Sequence, residues 1–418
     1  EDVEKIFLQE LGTTPQKIFK DFQKVPFASA SFGQVHGAKL ENDHIVAVKV
    51  LRPGIEDKVS VDFFIIDIFA FIADLIFKID ALPWKEFAKE FKKWTLKELD
   101  YRIEAENIKR MYRNTSVNKN IVMPNVFLHL STRKILVEDY IEGIPLSRAL
   151  RGLKDGRLTP EKLKKMGIDI KKVPSIFTQE LLRECFMDDV FHADPHPGNI
   201  LLLKNNKIAL LDFGIVGEPV SYNKASFVKL IKSCSTPVNV KQAVYHFANL
   251  TSGDLKNIIG SALPATVPQK KVDEMMTLLS NHFSDSISKF SMQNAKDINS
   301  MKKDYVSVFI QLIKLGEQFR IKLPKEASLF IRTLSMWGFL TRHLNYDFRM
   351  SNEIKDFFAI HPEKTLLKDS DYVPLYTRIS RERAIEQLNS WLSYLMEIDP
   401  QLYQIVKDKI KEYNSIDN

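Results

Sequence analysis

A chain of 418 residues has room for two or three packed units and a sizeable core. With 44% hydrophobic and 27% charged residues, and only 15 Gly and 18 Pro, it is neither low-complexity nor fibrous, and no internal repeat is visible. Its net charge of +7 suits a solvated surface, an anionic lipid or a bound polyphosphate, and no nucleic-acid partner is expected. The only two cysteines, Cys185 and Cys234, cannot build a disulfide framework, which points to a reducing compartment, cytoplasmic or organellar. No signal peptide is visible at the start.

In chain order, residues 1–24 look like a helical leader ending before Pro26. Residues 25–142 read as a small, strand-containing lobe with extra helices. Within it Val46-Ala47-Val48-Lys49-Val50 is β-rich, and Asn42-Asp43 before it reads as a hairpin turn. Residues 55–113 are mostly helical, broken at Leu82-Pro83, and strand character returns from Lys134 to Ile141. The apolar run Val61 to Phe77 holds Asp62, Asp67 and Asp74, which argues against a membrane span and for a buried or partner-facing helix. Residues 143–345 form a larger, mainly helical lobe interrupted by a strand-rich island from Phe191 to Val216, and residues 346–418 a helical tail. A bilobal α+β arrangement follows, with ligands expected between the lobes.

The strongest chemical signal lies in the second half. His192-Ala-Asp194-Pro-His196-Pro-Gly198-Asn199 places an Asn five positions after an Asp, and Asp212-Phe213-Gly214 follows thirteen residues later, behind the apolar strand Ile208 to Leu211. Phosphoryl transfer from ATP needs this set. Asp194 is placed to orient the attacking hydroxyl or water, and Asn199 and Asp212 to hold Mg²⁺ against the phosphates. A lone Asp-Phe-Gly usually marks a turn; the joint occurrence in this order carries the argument. His192 and His196 flank Asp194, but two prolines and a glycine prevent the helix that would align them on zinc, so both are expected to brace the loop by hydrogen bonds.

In the first half, Ala28-Ser29-Ala30-Ser31-Phe32-Gly33-Gln34-Val35 occupies the frame of the kinase phosphate loop, G-x-G-x-x-G-x-V, with alanines at the first two glycine positions. Val46-Ala-Val-Lys49 follows, and Lys49 suits the α- and β-phosphates as a point charge. Alanine restricts close backbone approach and positive φ, so the loop is stiffer than a glycine loop and changes how a nucleotide fits. Phe87, Phe91, Trp94, Tyr101, Ala105 and Ile108 form one helical stripe on which Glu98 falls, while Glu104 shares a face with Asp100. Spacing alone leaves open which glutamate meets Lys49.

Together these residues resemble the UbiB/ADCK-type atypical kinases, the aarF-domain family. The matching stretches are Pro26 to His36, Val46 to Val50, Arg52-Pro-Gly54, Glu98-Leu-Asp100, Glu104-Ala105, His192 to Leu201 and Leu211 to Gly214, which cover about residues 1–220. The resemblance implies a protein-kinase-like fold, an alanine-rich loop, and weak, lipid-responsive ATPase activity in isoprenoid quinone metabolism, with ATP and Mg²⁺ as cofactors. It also implies peripheral contact with anionic or isoprenoid lipid. By it, Glu104 is the partner of Lys49, Glu98 and Asp100 form the ExD motif, and Asp139 sits at the hinge. Three departures stand out: Ser29 where the family more usually has alanine, Glu138 where it tends to be apolar, and no K-x-G-Q element among the 418 residues. His192 to Asn199 is also similar to the H-x-D-x-H-P-G-N loop of aminoglycoside and choline kinases, which keeps a small-molecule phosphotransferase as a second reading. A pseudokinase scaffold is a third.

Overall fold

The computed structural model describes residues 2–415 except 31, 78–88, 90, 91, 94, 114–117, 219–223, 238, 252, 293–311, 313–324 and 369–379. The chain divides into two compact units, Glu1–Ile176 with Val190–Val216, and Phe177–Asp189 with Gly217–Asn418.

The first unit is built on two small sheets. Its leading helices are α1 (Asp2–Leu11) and α2 (Pro15–Ile18), followed by β1 (Asp21–Phe22), β2 (Ala28–Ser29), β3 (Gly33–Lys39) and β4 (Ile45–Leu51). The leader is thus not wholly helical. Its last residues pair antiparallel with β3, Asp21 opposite Lys39 and Phe22 opposite Ala38, and Phe22 stacks on His36 with ring centroids 5.1 Å apart. Two residues are too few for a strand period to show in the sequence. Helices α3 (Ile55–Phe77) and α4 (Tyr101–Tyr112) come next, then β5 (Ile121–Val122), β6 (Ile135–Asp139) and β7 (Ile144–Pro145). Helices α5 (Leu146–Lys154) and α6 (Pro160–Lys165) lead to β8 (Phe191–His192), β9 (Ile200–Leu203), β10 (Lys207–Leu210) and β11 (Val216–Gly217). The first sheet runs β1-β3-β4-β6 with β2 on β3, the second β5-β10-β9-β7, and β11 pairs β8.

Strand alternation decides what each face of the first sheet carries. Val46, Val48 and Val50 of β4 and Ile135 and Val137 of β6 point to one side, where they bury with Ile6, Phe7 and Phe19 of the leader. Transfer of each such side chain from water contributes about 1.5–3 kcal/mol. The residues between them, Ala47 and Lys49 on β4 and Glu138 on β6, therefore face the other side.

Helix α3 exposes Val61, Phe64, Ile65, Ile68 and Phe69, so at these positions it is not buried. No helix among the described residues is long and apolar enough to cross a membrane. The continuous stripe expected through Glu98 is interrupted. Residues 95–98 are helical, Leu99 turns, and Asp100 is the extended N-cap of α4, its carboxylate accepting the Arg102 N–H at 3.1 Å. An aspartate that captures a backbone donor favours a helix start over a helix interior. Phe87, Phe91, Trp94 and the expected break at Leu82-Pro83 lie outside the described residues.

Among the described residues the second unit is mainly helical. It takes the part of α7 (Val173–Phe186) from Phe177 onward, then α8 (Lys224–Ser233), α9 (Val240–Thr251), α10 (Gly253–Ala262), α11 (Gln269–Met292), α12 (Lys325–Leu344), α13 (Met350–Ile360), α14 (Glu363–Leu366), α15 (Arg381–Ile398) and α16 (Pro400–Asn414). Phe186 centres its core, with the rings of Phe227, Phe330, Phe357 and Phe358 at 5.7, 5.8, 6.2 and 6.0 Å. Trp337 donates from Nε1 to Thr178 Oγ1 at 3.0 Å, which satisfies the one polar atom of a wholly buried indole.

Candidate active site

A cavity of about 420 Å³ lies within the first unit, lined by the β2–β3 hairpin, the pocket face of β4 and β6, the start of α4, and the segments around Asn199 and Asp212. The sequence motifs converge on it from the inner face of a strand, the first turn of a helix and the segments that follow β8 and β10.

The small-residue loop is a short hairpin. Ala28 pairs with Val35 and Ser29 with Gln34, and Ala30 closes the turn by exchanging hydrogen bonds with Gly33 at 3.1 and 3.4 Å. Ala28, Ser29, Ala30, Phe32 and Val35 line the cavity; Gly33 does not, and Ser31 lies outside the described residues. Gly33 serves a spatial need, since a Cβ there would stand 2.7 Å from the Val50 carbonyl oxygen and against the Tyr101 hydroxyl.

Lys49 is buried, at 7% exposure, and its Nζ donates to Glu104 Oε1 at 2.6 Å. The partner left open by spacing is therefore Glu104, and Glu98 makes no such contact with Lys49. The same Glu104 oxygen accepts the Phe213 N–H at 3.2 Å, which ties β4, α4 and the Asp212-Phe213-Gly214 turn to one carboxylate. Lys49 Nζ also stands 3.1 Å from Glu138 Oε1. Glu138 did not figure among the expected site residues, although the alternation of Ile135 and Val137 already places it on the cavity face. Burial works against the Lys49 ammonium, but Glu104, Glu138 and Asp212 outweigh it and hold its pKa well above the usual range. Burial raises both Glu104 and Glu138, with Lys49 as the main counterweight.

Across the cavity, Asn199 donates from Nδ2 to Asp194 Oδ2 at 3.0 Å and to the Asp194 carbonyl at 3.4 Å. The amide nitrogen is thus engaged with Asp194, and Asn199 and Asp212 both line the cavity, whereas Asp194 does not. Asp212 adopts φ 59°, in the left-handed region, and accepts the Gly214 N–H on Oδ1 at 3.2 Å. His192 is buried and its Nε2–H donates to the carbonyls of Leu211 and Asp212 at 3.1 and 3.0 Å, bracing that turn. Burial lowers its pKa, which disfavours the charged ring. His196 accepts the Gly198 N–H on Nδ1 at 3.1 Å.

Glu98 lines the cavity, and burial, then the charges of Asp212 and Asp194, push its pKa up to about 7. Asp100 also lines it while capping α4. Asp139 lines the far end and is held by His44, Nε2 to Oδ1 at 2.7 Å, and by the Asn125 N–H on Oδ2 at 3.0 Å. The oxygen donors Asn199 Oδ1 and Asp212 suit a hard divalent cation such as Mg²⁺. No group of three or more His, Cys, Asp or Glu able to hold a metal occurs among the described residues.

A paired lysine on a central strand, an asparagine and an aspartate on a strained turn around one cavity, with a second aspartate hydrogen-bonded to that asparagine, define a protein-kinase-like protein. A model of the ABC1 atypical kinase-like domain matches residues 1–244, and the chain belongs to that family. It is 30% identical to a Clostridium pasteurianum protein of the hydrogenase 1 5′ region, over 82% of this chain and 58% of that one. It is 30% identical to the probable serine/threonine-protein kinase abkB of Dictyostelium discoideum, over 83% of this chain and 47% of that one. With the chloroplastic protein Activity of BC1 Complex Kinase 1 of Arabidopsis thaliana the identity is 29%, over 87% and 48%. The chain thus spans about half the length of these curated relatives. A Mycobacterium tuberculosis protein solved in complex with erythromycin shares the fold, with a TM-score of 0.54 and 18% identity over 89% of this chain and 83% of that one.

Proposed function

We propose that the protein binds ATP with Mg²⁺ and transfers the γ-phosphoryl group, as a UbiB-like ATPase that supports isoprenoid quinone or lipid metabolism at a membrane surface. One observation carries the reading: Lys49, held by Glu104, faces the same cavity as Asn199 and Asp212, and Glu104 is bonded to the backbone next to Asp212. In this reading Lys49 binds the α- and β-phosphates, the 28–35 hairpin covers them, and Asp139 belongs to the hinge segment beside the base. Asn199 Oδ1 and Asp212 would hold Mg²⁺, which when bound neutralises charge on the transferring phosphoryl group. Asp194, oriented by the Asn199 amide, positions the attacking water and accepts its proton. The exposed apolar residues of α3 and the +7 net charge support contact with anionic lipid.

The test follows ATP labelled on the γ-phosphate, with Mg²⁺, with and without anionic liposomes, for the wild type and Asp194→Asn. Free phosphate, released faster with lipid and abolished in the variant while nucleotide binding persists, is the expected result. Unchanged turnover in Asp194→Asn would remove the assignment of Asp194. Label on a protein, amino alcohol or sugar would replace the ATPase by a kinase.

A further inference from the structure

We propose that Glu138 is a positioning residue that holds Lys49 in competition with the phosphates of an incoming nucleotide, and so weakens nucleotide binding at this site. The inference rests on the nucleotide reading given above and adds to it a built-in competitor.

Register brings the two residues together. Ala47 of β4 lies opposite Glu138 of β6, and Lys49 opposite Leu136, so Glu138 is a near diagonal neighbour of Lys49 on the cavity face. Glu138 is only 3% exposed. A lysine ammonium has three N–H donors. Glu104 takes one at 2.6 Å and Glu138 stands at 3.1 Å from the same nitrogen, so at most one donor is left for a phosphate. The other titratable groups around Lys49 and Glu138 are Glu104 of α4, Asp212 of its turn and Asp139 of β6, which add negative charge, and Tyr101 of α4, whose phenol burial keeps neutral; none of these is a second cation.

The two glutamates are not equivalent. Glu104 is also held by the Phe213 N–H and keeps a partner if Lys49 turns away. Glu138 has no such support: its Oε2 is buried without a hydrogen-bond partner. When Lys49 turns to a phosphate, Glu138 is left as a buried carboxylate whose ion pair is weakened or lost, and nucleotide binding must offset that penalty. An apolar or neutral residue at the same place imposes none.

The experiment is titration calorimetry of the full chain and its Glu138→Gln and Glu138→Met variants with MgADP and, separately, adenosine. Adenosine has no phosphate to recruit Lys49 and reports on the rest of the cavity. The expected result is MgADP affinity increased about tenfold in Glu138→Met and less in Glu138→Gln, with adenosine affinity unchanged in both. Thermal unfolding checks that both variants fold, as they should with Lys49 still paired to Glu104. MgADP binding by the wild type with the same affinity in the variants overturns this inference and leaves the nucleotide reading standing. An equal change for adenosine and MgADP also overturns it, since Glu138 would then act on the base side. Binding by the variants but not the wild type supports it in its strongest form. MgADP binding by none of the three overturns the nucleotide reading and this inference together.

Discussion

Glu104 Oε1 accepts the Phe213 backbone N–H at 3.2 Å while it accepts Lys49 Nζ at 2.6 Å, so one oxygen joins a strand lysine to a turn 109 residues further along than the glutamate. Glu104→Ala leaves the Phe213 N–H without its acceptor and Lys49 with Glu138 alone. The expected cost is about 3 kcal/mol of stability, read by urea unfolding, with Glu104→Gln losing roughly 1 kcal/mol because it keeps an acceptor oxygen. Equal unfolding curves for the wild type and Glu104→Ala would refute this role.

Gly33 is required by space and not by backbone conformation. A Cβ there would meet the Val50 carbonyl oxygen at 2.7 Å, and backbone cannot swing aside as a side-chain tip can. Gly33→Ala should therefore lower stability by about 1–3 kcal/mol and loosen the 28–35 hairpin. Adding Tyr101→Phe, which removes the other close atom, should not restore it. Full rescue by that second change would show that the hydroxyl alone was the obstacle.

Asp100 caps α4 whatever else it does in the cavity. Asp100→Ala removes the acceptor of the Arg102 N–H and should cost about 1 kcal/mol, whereas Asp100→Asn, which keeps an oxygen there, should cost a few tenths. If the two variants unfold at the same urea concentration, the cap contributes nothing measurable.

In the second unit, burial, and then Lys229, lower the His246 pKa from 6.5 to about 4, so the folded protein keeps this ring neutral. Between those values the unfolded chain binds a proton that the folded chain refuses, and stability falls as pH falls from about 6.5 towards 4. His246→Gln removes this contribution. The melting temperature of the wild type should drop relative to the variant over that window, and parallel melting curves from pH 7 to pH 4 would exclude His246 as the cause.

The sequence by itself determined the groups that act within a few residues of one another. Asp194 and Asn199 share a loop, Asp212 to Gly214 share a turn, and the alternation of Val46, Val48 and Val50 sets Lys49 on the opposite face; local spacing carries all of this. It also sufficed for the α+β, kinase-like class and for the family. Spacing alone could not decide which glutamate meets Lys49, because the cap at Asp100 breaks the helical phase that would have related Glu98 to Glu104; the family resemblance implied Glu104, and the tertiary contact is what makes the pair. Only the tertiary structure decided the part of Glu138: its approach to Lys49 depends on the register of β4 against β6, a hydrogen-bond pairing between distant segments that no local pattern encodes. The leader's place is tertiary too, since the burial of Ile6, Phe7 and Phe19 needs the valine face of a sheet that forms later in the chain.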